Sequence, residues 1–218
     1  MINVKAISTN VGKALLVSAL FMFISLMISI YEGMDSAFTP LLISFIITSI
    51  VGAFPFIFVK GNQSLSLKDG FLTIFLAWLL SFVFGMLPYV MWGGEFTLIN
   101  AWFESVSGFT TTGATILDDI EALPRGMLFW RSSTNWIGGI GVVMFALLIL
   151  PSLGTNKMAM ANIELSSLAK DNYHYRTQII VRILLVVYVG ITFITTLLLK
   201  FAGMTWFDAL NHAMSACA

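Results

Sequence analysis

The residues whose types and spacing could do chemistry lie in one short segment near the middle of the chain. Residues Thr110–Thr115 read TTTGAT, and the twelve residues before them, Thr97–Gly108, carry apolar side chains at i, i+3 and i+4 spacing. Thr97 is a suitable N-cap, because its hydroxyl can accept a hydrogen bond from a free backbone N–H. Twelve helical residues span about 18 Å, roughly half of a bilayer. The sequence therefore predicts a short helix followed by an extended strand, as in a re-entrant loop.

The chemistry that this segment suits is the binding of a dehydrated monovalent cation. Such an ion needs a ring of oxygens in place of its water, and the backbone carbonyls of an extended strand can supply them. Thr111–Thr115 shares its leading threonine and central glycine with the potassium-channel filter TVGYG, and a glycine permits the dihedral angles that turn carbonyls inward. The same composition would also suit an ordinary outer loop, so the segment alone leaves both interpretations open.

The elements that must position this segment are predicted to be membrane-spanning helices. Of the 218 residues, 58% are hydrophobic and 10% charged, and the mean hydropathy is +0.93. A soluble domain has about 25% charged residues, so a soluble enzyme is excluded. A net charge of zero leaves no basic face for nucleic acid. Five apolar runs are long enough to cross about 30 Å of hydrocarbon: Ala14–Ile30, Pro40–Val59, Phe71–Met91, Met127–Leu150 and Ile179–Leu199.

The distribution of lysine and arginine predicts that the amino terminus is cytoplasmic. Basic residues lie before the first run and in alternate loops, at Lys5, Lys13, Lys60, Lys68, Lys157, Lys170 and Arg176, whereas the other loops are acidic. Two arginines, Arg131 and Arg182, fall within the runs, close to an end, where a long side chain can reach the headgroups. For Arg131 two roles are open: it could anchor the outer end of its span, or it could pair with Glu104.

An internal repeat supports the interpretation as a re-entrant loop. A shift of the chain by 108 residues places Ile179–Leu199 over Phe71–Met91 and Thr205 over Thr97. Met204–Ala218 is then a second short helix after a second span, with Thr205 and Asp208 spaced as in a capping box. A repeat at a fixed period indicates structural duplication, which is common in transport proteins.

Three motifs carry a resemblance to a known family: SGFTTTGAT at 107–115, NWIGGIGVVMFALLILPSLG at 135–154 and NHAMSACA at 211–218. They resemble the Trk/Ktr/HKT superfamily, and most closely its Trk-type potassium uptake membrane subunit. The resemblance implies four fused span–pore–span units around one pore, preceded by an extra helix pair. It also implies a selectivity filter strand in which potassium is bound by backbone carbonyls, mainly at Thr111 and Thr112, with Gly113 and Ala114 completing the strand.

The fold class that follows is an all-α polytopic membrane protein made of repeated span–pore-helix–filter–span units. The expected organisation is an N-terminal helix pair (1–60), one complete unit (61–152), a cytoplasmic connection (153–178) and the start of a second unit (179–218). Members of the family are considerably longer than this chain. We therefore expect it to be an N-terminal fragment in which the second unit stops before its filter.

The function that the resemblance implies is potassium uptake through a channel-like pore in the cell (inner) membrane. It further implies a cytoplasmic nucleotide-binding regulatory subunit, TrkA-like, and a homodimer in the lipid bilayer. No enzyme activity, cofactor or nucleic-acid partner is expected, because the sequence has no zinc motif and no plausible Ser/His/Asp set. The alternative is a proton- or sodium-coupled cation secondary transporter, which normally carries ionisable residues in mid-membrane.

Overall fold

The computed structural model describes residues 2–58, 67–153 and 167–218, and all regular structure in these ranges is α-helical. The all-α prediction is confirmed. Within the described residues, four stretches are long and apolar enough to cross a membrane: Val4–Tyr31, Phe38–Phe58, Lys68–Trp92 and Val181–Phe201. The helices are α1 (Val4–Tyr31), α2 (Phe38–Phe58), α3 (Leu67–Gly85), α4 (Leu87–Trp92), α5 (Leu98–Phe109), α6 (Arg125–Leu153), α7 (Ser167–Phe201) and α8 (Trp206–Cys217).

Several helices are longer than the apolar runs that predicted them. The first begins at Val4 rather than Ala14, because the side chain of Asn3 caps it and accepts a hydrogen bond from the Ala6 amide at 3.2 Å. Helix α7 begins at Ser167, inside the predicted connection 153–178, and the sequence between Ser167 and Ile179 contains no proline or glycine to stop it. The remainder of that connection, 154–166, and the loop 59–66 lie outside the described residues.

The third predicted span, Phe71–Met91, is not one continuous helix. It is broken at Met86 into α3 and α4, because Pro88 has no amide hydrogen to donate to the carbonyl four residues earlier. The Gly85 carbonyl, close to the break, accepts a hydrogen bond from the buried Trp130 indole of α6 at 3.1 Å. The Ser105 hydroxyl donates to the Phe82 oxygen at 2.8 Å in the same region. The break is therefore stabilised by side chains of α5 and α6.

The chain divides into two compact units, 1–138 and 139–217. The first contains α1 to α5 and the beginning of α6. Its core is a cluster of buried apolar side chains from the helices and the loops between them. Aromatic rings of α1 and α6 also meet there, with the centroids of Phe21 and Trp136 5.5 Å apart. The buried members of the core are Met22, Leu26, Ala37, Leu41, Tyr89, Phe96, Ala101, Phe109, Leu123, Met127 and Trp130.

The second unit contains the rest of α6 together with α7 and α8. Helix α8 follows α7 after a short turn and packs back against it. At the turn the Lys200 ammonium donates to the Met204 carbonyl at 3.2 Å and lies 5.6 Å from the centre of the Trp206 ring. At the other end of α8 the Cys217 sulfur lies 3.7 Å from the Thr195 hydroxyl.

The carboxyl-terminal end of α5 is surrounded by glycines that leave no room for a side chain. A Cβ placed on Gly138 of α6 would lie 2.1 Å from the Phe109 carbonyl oxygen, and one on Gly85 would lie 2.4 Å from the Phe109 ring. Gly108 of α5 itself approaches α6, where a Cβ would lie 2.2 Å from the Thr134 hydroxyl. Small residues commonly permit such close approach between helices in membranes. Gly138 therefore permits the close approach of α6 to α5.

We expect Gly138→Ala to destabilise the purified protein in detergent by about 1–3 kcal/mol, the usual cost of overpacking a filled interior. The clash is with backbone atoms of Phe109, which cannot rotate away. The matched control is Gly190→Ala in α7, where an added Cβ meets no atom within 4 Å and the helical backbone accepts alanine. Thermal unfolding of both variants measures the difference. Equal melting temperatures for the two variants would contradict the packing described here.

Candidate functional site

The short helix predicted over Thr97–Gly108 is α5, Leu98–Phe109. Thr97 is its N-cap, as predicted, and its hydroxyl accepts a hydrogen bond from the Asn100 amide at 3.3 Å. The spacing that predicted the helix marks its buried face only in part, because Ala101 and Ser105 are buried whereas Leu98 is 63% and Trp102 37% exposed. The buried residues are mostly small or polar, and they are Ala101, Glu104, Ser105, Ser107, Gly108 and Phe109.

The segment that follows α5 folds back against the last turn of the helix. The Ser107 carbonyl accepts a hydrogen bond from the Thr112 amide at 3.0 Å and a longer one from the Gly113 amide at 3.5 Å. The described residues contain no cis peptide bond, and in a trans peptide the carbonyl points opposite to the amide hydrogen. The carbonyls of Thr111 and Thr112 therefore point away from Ser107.

The four residues predicted to bind an ion do not all present their carbonyls in the same way. The Ser107 hydroxyl donates to the Ala114 carbonyl at 2.6 Å, so the Ala114 oxygen faces α5. Thr111 has φ +57° and Gly113 has φ +72°. The chain therefore turns at Thr110 and Thr111, and the segment is not the continuous extended strand expected from the sequence. The glycine at 113 is explained by its left-handed backbone, whereas a β-branched residue is unusual at φ above zero and marks a constrained position at Thr111.

A buried carboxylate holds the far end of this segment. Glu104 of α5 is 2% exposed, and its Oε1 atom accepts hydrogen bonds from the Thr115 hydroxyl and from the Ile116 amide, the latter at 2.8 Å. The Thr115 hydroxyl in turn accepts from the Leu117 amide at 3.2 Å. The segment is therefore fastened to α5 within the candidate ion-binding residues by Ser107, and directly after them by Glu104.

Arg131 of α6 pairs with this carboxylate. Its Nε atom lies 3.3 Å from Glu104 Oε2, and its side chain is 15% exposed. Of the two roles considered for Arg131, the pair with Glu104 is present in the structure. The hydroxyl of Tyr89 is buried in the same cluster, close to Glu104, Arg131 and Thr134, without a hydrogen bond of standard geometry.

Sequence reasoning missed the part that Glu104 and Ser107 take in this arrangement. From the sequence, Glu104 is considered only as a possible partner of Arg131, and not as an acceptor for Thr115 and Ile116. The signal that could have found it is the polar run Arg131–Asn135 in an otherwise apolar span. Such a run needs polar partners inside the protein, and a carboxylate is the natural partner of an arginine.

The second short helix, α8, is offset from α5 by the period of the repeat. It spans Trp206–Cys217, and α5 spans Leu98–Phe109, so both helices have 12 residues and their bounds differ by 108. The capping predicted for it is present in part. The Thr205 hydroxyl accepts from the Asp208 amide at 3.2 Å, as in a capping box, but the Asp208 carboxylate bonds to the Thr205 hydroxyl rather than to the Thr205 amide.

The side chains in the described ranges do not form a metal-ligating cluster. Among residues 2–58, 67–153 and 167–218 no group of three or more His, Cys, Asp or Glu side chains could hold a metal ion. The oxygen atoms at the carboxyl end of α5 are backbone carbonyls and threonine hydroxyls. Such ligands suit a weakly held monovalent cation rather than a tightly bound divalent one.

Comparison with known proteins identifies the family. Residues 38–218 match the family TrkH, described as "Cation transport protein". The Trk system potassium uptake protein TrkH of Halomonas elongata is 34% identical over 221 residues, which cover 99% of this chain and 45% of that protein. The Escherichia coli K12 protein of the same name is 37% identical over 161 residues, or 73% of this chain and 33% of the relative.

A solved structure agrees with these sequence matches. The crystal structure of the potassium transporter TrkH from Vibrio parahaemolyticus superimposes with a TM-score of 0.74 at 28% identity, and covers 95% of this chain and 42% of that one. The chain thus spans less than half of the length of the relatives that it matches. The resemblance inferred from the three motifs is confirmed: the chain belongs to the TrkH family of cation transport proteins.

Proposed function

We propose that this chain is part of a potassium uptake protein and that Thr111, Thr112, Gly113 and Ala114 form one strand of its selectivity filter. The observation that carries the proposal is the direction of two peptide groups. The Thr112 and Gly113 amides donate to the Ser107 carbonyl, so the carbonyls of Thr111 and Thr112 are turned away from α5. The relatives are named potassium uptake proteins, which indicates the ion.

The physical basis of the proposal is the replacement of water around the ion. A dehydrated potassium ion needs several oxygen ligands at once, and one strand supplies only part of such a cage. The Thr111 and Thr112 carbonyls are the two oxygens that this strand contributes most directly. The negative end of the α5 dipole lies at Gly108 and Phe109, beside them, and adds a favourable potential for a cation.

The remaining ligands come from further units of the same kind in this proposal. The second helix α8, of the same length as α5 and offset by 108 residues, is assigned as the pore helix of the next unit. The channel-like pore, the division into a helix pair 1–60 and repeated units, the homodimer and the cytoplasmic nucleotide-binding subunit follow from the resemblance to the Trk-type subunit. So do the absence of a cofactor and of enzyme activity.

The chain is a multi-pass membrane protein, and we assign it to the inner membrane with its amino terminus in the cytoplasm. The alternative, coupled secondary transport, requires ionisable groups in the spans that can take up and release the coupling ion. In the described part of the first unit, the buried charges of α5 and α6 are paired with each other, as Glu104 and Arg131. That pairing favours the channel-like interpretation.

The filter assignment predicts that Gly113→Ser, in the protein encoded by the gene that carries this chain, lowers rubidium uptake much more than sodium uptake. A side chain at φ +72° costs about 1–2 kcal/mol, or roughly a factor of ten, and reorients the Thr112 carbonyl. Thr115→Ser, which keeps the hydroxyl, should have a milder effect. Rubidium and sodium fluxes are measured side by side in a host that lacks its own potassium uptake systems.

The matched control for this substitution is Gly33→Ser. Gly33 has φ +89° in the loop between α1 and α2, and an added Cβ there meets nothing within 4 Å, as at Gly113. A side chain at position 33 therefore has a similar energetic cost for the backbone, at a site away from the candidate filter. An unchanged ratio of rubidium to sodium in Gly113→Ser, or an equal change in Gly33→Ser, would show that Gly113 is not a selectivity residue.

The topology predicts opposite accessibility for two exposed positions. In a Cys217→Ser background, Met34→Cys in the loop between α1 and α2 should react with a membrane-impermeant maleimide on intact cells. Lys68→Cys at the start of α3 should react only after the cells are permeabilised. The reason is the excess of lysine in the loops assigned to the cytoplasm. Labelling of Lys68→Cys from outside would reverse the orientation.

A further inference from the structure

The buried pair of Glu104 and Arg131 contacts the chain directly after the candidate filter strand, at Thr115 and Ile116. One carboxylate oxygen accepts from the Thr115 hydroxyl and the Ile116 amide, and the other faces the Arg131 guanidinium. Thr115 follows directly after the four proposed filter residues. A shift of the Glu104 carboxylate therefore moves the end of the strand and not only a distant loop.

The chemistry of this position requires a carboxylate. Both of its oxygens serve as acceptors, and each receives donors from a different direction. A glutamine has the same shape but replaces one oxygen by an NH₂ group, which would face the Arg131 donor. A glutamine at position 104 can thus accept hydrogen bonds from Thr115 and Ile116 or from Arg131, but not from both sides. Because the side chain is 2% exposed, water cannot compensate for the lost partner.

The strand is also held to α5 by a residue other than Glu104. Ser107, three residues after Glu104, bonds to the strand at Thr112, Gly113 and Ala114, whereas Glu104 holds the residues that follow it. Glu104 and Ser107 are neighbours on the surface of α5, so both of these attachments are to the same short helix. The guanidinium of Arg131 fixes the orientation of the carboxylate from the α6 side.

We propose that Glu104, oriented by Arg131, is a positioning residue that sets the distance of the Thr111 and Thr112 carbonyls from the ion and thereby tunes the preference for potassium over sodium. This inference rests on the proposed function. The inference goes beyond the proposed function because it assigns a part in selectivity to a buried ion pair that does not contact the transported ion. Selectivity depends on small differences in oxygen position, because the competing ions differ mainly in size.

The test compares Glu104→Gln with Thr115→Val, in the protein encoded by the gene that carries this chain and in the same transport-deficient host. Loss of a hydrogen bond to a charged group corresponds to about tenfold or more in an equilibrium, so we expect each variant to lower the ratio of rubidium to sodium uptake by about that factor. Thr115→Ser keeps the donor and should change the ratio less than Thr115→Val. The double variant should be no worse than Glu104→Gln alone, since both substitutions remove the same contact.

The matched control is Glu32→Gln, which breaks a second ion pair in the described part of the first unit. Arg125 Nη1 lies 2.8 Å from Glu32 Oε1, and the two side chains are 51% and 31% exposed. The ratio of rubidium to sodium should stay at the parent value in this variant. An unchanged ratio in Glu32→Gln would show that a change in Glu104→Gln results from the position of Glu104 and not simply from the loss of an ion pair.

Two results would overturn the inference while the proposed function stands. The first is a Glu104→Gln protein that reaches the membrane and transports with the parent ratio. The second applies if Glu104→Gln does not accumulate: Thr115→Val leaves the Glu104–Arg131 pair intact, and a parent ratio in that variant rejects the positioning role. Failure of the parent protein itself to take up rubidium would instead reject the proposed function, and the inference with it.

Discussion

The arrangement of the first unit depends on the burial of one carboxylate, Glu104. A buried charge is tolerated only when it is paired and its lone pairs are filled. Here the partners come from the segment after α5 and from α6, so a single side chain ties three consecutive elements together. The arginine in the first half of α6 follows from this requirement, because Arg131 must face the interior to neutralise the charge.

A second constraint acts on the backbone. In hydrocarbon there is no water to satisfy a free carbonyl, so any break in a spanning helix needs a partner from within the protein. The break between α3 and α4 meets this condition through Trp130, and the neighbouring Phe82 carbonyl receives an additional bond from Ser105. The proline that breaks the helix and the side chains that stabilise the break lie far apart in the sequence and meet only in the folded unit.

Local features of the fold could be predicted from the sequence, whereas contacts between distant residues could not. The composition indicated the spans, and Thr97 with the spacing after it indicated the start of α5, because capping and helix length are properties of neighbouring residues. The buried face of α5 was not evident, since in a membrane protein large apolar residues such as Leu98 and Trp102 need not face the core. The pairing of Glu104 with Thr115 and Ile116 depends on a turn at Thr111 that no local pattern specifies.

The glycines around the end of α5 have a consequence for motion. Helices α3 and α6 touch the backbone or ring of Phe109 so closely that even a methyl group would not fit between them. Packed interfaces of this kind do not deform continuously, and they either stay fixed or change partners altogether. Helix α5 therefore has no clearance to slide or rotate against its neighbours. We therefore expect α5 to move together with α3 and α6, or not at all.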